Sequence, residues 1–162
     1  MRKLDEREKD ILRLLQNDAS LPLATIAKRV HLSPTPCWRR IQKLRDEGVL
    51  RKEVALVDPE KVNAGVTVFV SIRVGEHNVT WLKEFRDAVL AMPQVVEFYR
   101  MSGDVDLLLR IVVPDIRAYD AIYQQLMNIA RALTTHPGLF DVSSNFALEQ
   151  VKYTTALPLD YA

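Results

Sequence analysis

From Val66 to Val74 the chain reads VTVFVSIRV, with Val66, Val68, Val70, Ile72 and Val74 alternating with Thr67, Phe69, Ser71 and Arg73. A period of two marks a strand with one face in a core. Such a strand needs an apolar layer to cover it, and the residues that follow supply two helices. Leu82, Phe85, Val89 and Met92 form one stripe, on a helix that Asn78 can cap. Ile116, Tyr119, Tyr123, Leu126 and Ala130 form a second, opened by Pro114-Asp115. Residues 95–101 read as a strand and Ser102-Gly103-Asp104 as a turn; Val105, Leu107, Leu109, Ile111 and Val113 are the inward side of a third strand. After THPG, residues 139–153 read as a last strand. The order β-α-β-β-α-β predicts a ferredoxin-like fold, two helices on one face of a four-stranded antiparallel sheet. The other face, with Thr67, Phe69, Ser71, Leu108 and Arg110, is too apolar to suit water, which predicts a homodimer through it.

The first third follows a different period. Leu4, Ile11, Leu12 and Leu15 lie near one side of a helix, and Asp5 with Glu8 has capping-box spacing. NDASL breaks it, and Pro22 suits the first turn of a second helix carrying Leu23, Ile26, Ala27 and Val30 on one stripe. A short HLS turn leads to LSPTPCWRRIQKLRDEG, in which Ser33 is a natural N-cap and Pro34 and Pro36 fall in the first turn, where they start a helix. Cys37, Ile41 and Leu44 share the inward face; Thr35, Arg39 and Gln42 point outward, with Trp38 and Lys43 on the flanks. Gly48 suits a left-handed C′ position, and VLRKEVALVD reads as a short strand or wing.

Three short helices with a tight turn before the third make a helix-turn-helix. The outward residues of its last helix stand where base edges are read in a major groove, and Arg and Gln suit guanine and adenine edges. Ser33 and the helix N-terminus can meet a phosphate. The predicted DNA-contacting set is Ser33, Thr35, Pro36, Trp38, Arg39, Arg40, Gln42 and Lys43. Charge agrees. The whole chain carries +1, yet residues 1–52 hold 13 Lys/Arg against 7 Asp/Glu, a net +6, leaving 9 against 14, or −5, for the rest. A basic end suits a polyanion.

Catalytic and metal patterns are missing. His31, His77 and His136 share no ligand spacing with Cys37, and the chain has neither a Gly-rich phosphate loop nor a nucleophile elbow. A lone Cys37 cannot form an internal disulfide and, beside Ile41 and Leu44, reads as a small core hydrophobe, with redox sensing as the alternative. The N-terminus lacks a signal-peptide core and no stretch is long enough for a membrane span, so the expected location is cytoplasmic, with no membrane partner. MSGDVDLLL stands out: Asp104 suits local turn bonding, whereas Asp106, expected inside the strand on its polar side, could take the ammonium of a small amino acid.

Taken together, LSPTPCWRRIQKLRDEGVL, ALVDPEKVNAG, MSGDVDLLLRIVV and SSNFALEQVKYTTALPL resemble, in order and over nearly the whole chain, the Lrp/AsnC (leucine-responsive regulator/asparagine regulator) transcription factors. The resemblance implies an α+β chain: a winged helix-turn-helix over 1–52, a hinge over 53–65, and a ferredoxin-like (ACT-like, or RAM) effector and oligomerisation domain over 66–162. It implies double-stranded DNA as partner, dimers assembling to tetramers or octamers, and no cofactor. An amino-acid effector would bind between dimers, at Met101, Ser102, Gly103, Asp104 and Asp106, faced by Ser143, Ser144 and Asn145. The expected role is control of amino-acid metabolism genes, not catalysis. The alternatives are a nucleoid-architectural protein that senses nothing and a small dimeric α+β-barrel enzyme.

Overall fold

The computed structural model describes residues 2–74, 79–132 and 140–162. The chain divides into two compact units, Met1–Ala55 with Val151–Ala162, and Leu56–Gln150.

In the first unit α1 (Glu6–Asn17), α2 (Leu23–Arg29) and α3 (Pro34–Asp46) close around Ile11, Leu12, Ile26, Ala27, Val30, Cys37, Ile41 and Leu44. The capping box forms as expected: Asp5 accepts the Glu8 N–H at 2.9 Å and Glu8 accepts the Asp5 N–H at 3.0 Å. Pro22 sits at the N-cap of α2, one position before the place expected for it, where it likewise forfeits no helical donor. The turn into α3 is held by His31 at φ 54, with the Leu32 N–H donating to Ala27 at 2.9 Å. A left-handed non-glycine costs roughly 1–2 kcal/mol, so the packing of Val30 and Leu32 on either side fixes this turn. Pro34 occupies the first helical position of α3, and Gly48 follows its end at φ 71 as predicted.

Two further features of this unit lay outside the helical periodicity. Arg2 forks onto Glu8, which is 1% exposed, at 2.7 and 2.9 Å, and its Nη2 also reaches Glu47 at 2.7 Å. One guanidinium thereby ties the start of α1 to the end of α3. The C-terminal residues Val151–Ala162 pack with this unit. Leu159 packs on the helical core, and the Gln16 amide pairs with both backbone groups of Leu157, at 2.7 and 3.2 Å.

The second unit contains β1 (Val66–Val74), α4 (Val79–Leu90), β2 (Val95–Arg100), β3 (Leu107–Val113), α5 (Ile116–Ala132) and β4 (Phe140–Phe146). The sheet order is β2-β3-β1-β4, all antiparallel, as the β-α-β-β-α-β order predicts. Val68, Val70, Ile72, Leu107, Leu109, Ile111 and Val113 turn to the helices and are buried. Trp81 joins Phe85, Val89 and Met92 in the core, stacked on Phe85 at 4.9 Å, while Leu82 is only partly buried. On α5 the buried stripe is Tyr119, Ile122, Leu126 and Ala130. Ile116 is 67% exposed because the stripe begins one turn later. Asp115 caps α5 by accepting the Ala118 N–H at 2.8 Å.

Three expectations change. Residues 51–58 carry no regular secondary structure, since among the described residues they have no ladder partner. The last strand ends at Phe146, not at 153, because pairing with β1 stops at Val68 and the chain then leaves the sheet. Asp106 lies one residue ahead of β3. The helix cap proposed at Asn78 and the THPG turn fall outside the described residues.

Candidate nucleic-acid interface and effector loop

α3 presents its outer side as the sequence arrangement requires. With Cys37, Ile41 and Leu44 buried, Ser33, Thr35, Pro36, Trp38, Arg39 and Lys43 are exposed and Gln42 half-exposed. Arg40 differs, being only partly exposed and paired with Asp5 at the start of α1. Its guanidinium positions α3 against α1 and is not on offer to a ligand in the way that Arg39 is. The N-terminus of α3 is a poorer anion site than expected. Pro34 and Pro36 lack N–H groups and the Cys37 N–H bonds to Ser33 at 3.2 Å, which leaves Thr35 as the first-turn donor. Ser33 makes no side-chain capping bond.

Burial pushes the Cys37 thiol pKa up, with Arg40 opposing weakly. A fully buried thiol held in its neutral form is a packing group. Among the described residues, no three of His, Cys, Asp and Glu are placed to hold a metal, and no helix is long and apolar enough to cross a membrane.

In the second unit Met101, Ser102, Gly103 and Asp104 form an exposed loop, with Gly103 at φ 111. Asp106 knots its end. The Asp106 carbonyl accepts the Met101 N–H at 2.8 Å, its N–H donates to Ile72 at 3.0 Å, and its Oδ2 accepts the Val74 N–H at 2.7 Å. The carboxylate therefore ends the β1 ladder, a role that the alternation pattern does not reveal. Ser143, Ser144 and Asn145 do not act as one group. The pleat sends Ser143 and Asn145 to the open sheet face, opposite Ser71 and Phe69, while Ser144 turns to α5 and hydrogen-bonds Tyr119. β1 stands between β4 and the loop, so a single chain does not bring the two predicted halves of the effector site together.

The open face carries Thr67, Phe69, Ser71, Leu108, Arg110, Glu97 and Tyr99. Glu97 bonds Arg110 Nε at 2.7 Å and the Tyr99 hydroxyl at 2.9 Å, and that bond to Glu97 raises the phenol pKa. Spacing along the chain does not reveal the bonds of Arg2 to Glu47, Tyr119 to Ser144 and Glu97 to Arg110, because these partners lie 45, 25 and 13 positions apart. The charged types on otherwise apolar strands, Glu97 and Arg110, were the one available signal.

A helix-turn-helix with a cationic outer helix, joined to a β-α-β-β-α-β sheet unit, defines a DNA-binding regulator with a separate ligand-type domain. Residues 4–51 match the family model of a winged helix-turn-helix DNA-binding domain, and residues 67–157 that of the Lrp/AsnC ligand binding domain. The DNA-binding transcriptional activator DecR of Escherichia coli K12 is 45% identical over 97% of this chain and 99% of its own. The solved structure of an AsnC family transcriptional regulator from Agrobacterium tumefaciens is 58% identical, with a TM-score of 0.88 over 98% of this chain and 99% of that one. A Neisseria meningitidis transcriptional regulator solved as an L-Met complex is 31% identical, with a TM-score of 0.87 over the same shares, 98% and 99%. The chain belongs to the Lrp/AsnC family of transcriptional regulators. It is a regulator and not an enzyme, which removes the barrel-enzyme alternative.

Proposed function

We propose that this regulator reads its operator with the outward side of α3 and that an amino acid modulates the reading. The observation that carries the proposal is the division of α3 into a buried face, Cys37, Ile41 and Leu44, and an exposed one bearing Thr35, Trp38, Arg39, Gln42 and Lys43. Arg39 and Gln42 suit bidentate base contacts and Lys43 a phosphate. An amino-acid effector is supported by the match of residues 67–157 to a ligand-binding domain and by the Neisseria relative's L-Met complex. We assign it to the loop Met101–Asp106, with Ser143 and Asn145 contributed by a neighbouring chain of a dimer that assembles to a tetramer or octamer in the cytoplasm. Because Asp106 already holds the end of β1, a ligand ammonium there pulls on the strand directly. Regulation requires that the ligand bind one assembly better than another.

The test is a gel-shift series on the gene's own upstream region with each of the twenty amino acids, preceded by a thermal-shift screen. One amino acid should raise the melting temperature and change the shift. DNA binding that ignores all twenty supports the architectural reading. Asp104→Ala and Asp106→Ala should each weaken the ligand response while operator binding persists; an unchanged titration in both removes the loop assignment.

A further inference from the structure

The outward side of α3 is itself divided by charge. Side chains three and four apart are neighbours on a helix surface, so Thr35, Trp38 and Gln42 form one row, and that row is uncharged. Arg39 and Lys43 form the row beside it. Arg45, one turn beyond Gln42, is held by Glu53 at 2.6 Å, so no free cation extends the uncharged row. Within it Trp38 is 51% exposed, and among the described residues of α1, α2 and α3 it is the only large apolar side chain left so open. Its indole N–H has no acceptor among the described residues. A row of this kind is ill-suited to phosphates, which Lys43 beside it can take, and suited to base edges.

Resting on the assignment of α3 as the DNA reader, we infer that Trp38 is a specificity residue for thymine, packing on the C5-methyl group beside an adenine read by Gln42. In the major groove the thymine methyl is the one apolar group that base pairs display, and adenine offers the N6/N7 pair that a glutamine amide matches. The position of Trp38, fifth in a helix that starts at Pro34, is within the N-terminal part that reaches base edges. Basic neighbours bring the duplex to the indole, and burial of one methyl against it is worth roughly a fourfold difference in affinity.

The experiment uses the full-length protein and a duplex selected by it from a random pool, resynthesised with deoxyuridine at one thymine at a time. Deoxyuridine pairs as thymine does and lacks only the methyl group. Wild type should lose roughly fourfold at one or two positions in each half-site. Trp38→Ala should bind the thymine and deoxyuridine duplexes alike, and its circular dichroism and melting temperature should match those of wild type, which shows that the variant is folded. Trp38→Phe should keep part of the difference. A wild type indifferent to deoxyuridine, or a Trp38→Ala that retains the full difference, overturns the inference while leaving α3 as the reader. If selection enriches no site, the reader assignment falls and the thymine contact falls with it.

Discussion

Arg39 and Arg40 are adjacent, yet the helix turns them into different surroundings. Arg39 projects into solvent beside Gln42 and Lys43, whereas Arg40 is spent on Asp5. Arg39→Ala should therefore cost roughly 1–3 kcal/mol on operator DNA and relax preference at one base position. Arg40→Ala should cost about 0.5–1 kcal/mol of folding stability, the scale of a partly exposed ion pair, and weaken operator and random DNA in equal proportion. Fluorescence anisotropy on both duplexes with urea unfolding separates the two. Equal losses of affinity for Arg39→Ala on both DNAs would make it a phosphate contact. Helical periodicity predicted that Arg39 is exposed and Cys37 buried, because both follow from a 100° turn per residue. It could not predict Arg40, whose partner is 35 positions away.

At the scale of elements, the chain announces its helices through local chemistry: Asp5 with Glu8, Pro34 after Ser33, and Gly48. The strands follow from alternation. What stayed hidden is non-local. Residues 151–162 have no period that would predict their packing against α1, and Arg2 precedes any element, yet both hold the helical unit together. Two predictions belong here. The Arg2 bond lowers the pKa of the Glu8 carboxyl below its ordinary 4.5 against the opposing effect of burial. Asp5, which burial pushes up, also ends below its ordinary 3.8 through Arg40 and the Glu8 N–H. Depressed folded pKa values stabilise the fold above the unfolded values, and that stability is lost as pH falls through the folded ones. The helical unit should thus keep its stability at neutral pH and lose it below about pH 4. Arg2→Ala should move the acid transition upward, because only the Asp5 N–H then opposes the effect of burial on Glu8; circular dichroism against pH reads this, and an unmoved midpoint counts against the Arg2 clamp. Leu159→Ala should cost about 1–2 kcal/mol, as expected for a partly buried leucine. Amide exchange should quicken in α1 and be unchanged in β1 and β3. Uniform exchange throughout would show that the tail is not seated on the helical unit.

For the whole molecule, the open sheet face is the surface through which we propose that two chains pair. Phe69 is 36% exposed at the centre of β1, Tyr99 is 51% exposed on β2, and Leu108 lies half-covered between them. The Glu97 carboxylate is already matched to Arg110 and Tyr99 within the chain, so this cluster on β2 and β3 brings no unpaired charge into an interface. That is the arrangement a self-complementary dimer tolerates, since burial of an unpaired charge is what most opposes association. Phe69→Glu inserts such a charge while leaving the helix-covered face of β1 untouched, and Val68 and Val70 continue to hold the strand in its core. It should weaken dimerisation by roughly 2–4 kcal/mol, on the order of thirty- to a thousandfold, without lowering the helical content. Sedimentation at micromolar concentration should give dimer or larger for wild type and monomer for the variant. The monomer should also bind operator half-sites more weakly than the assembled protein binds paired ones, because two linked readers gain effective concentration that one lacks. A wild type that sediments as monomer removes the sheet-face interface. A Phe69→Glu dimer moves the interface to another surface and leaves the DNA reading of α3 as it stands.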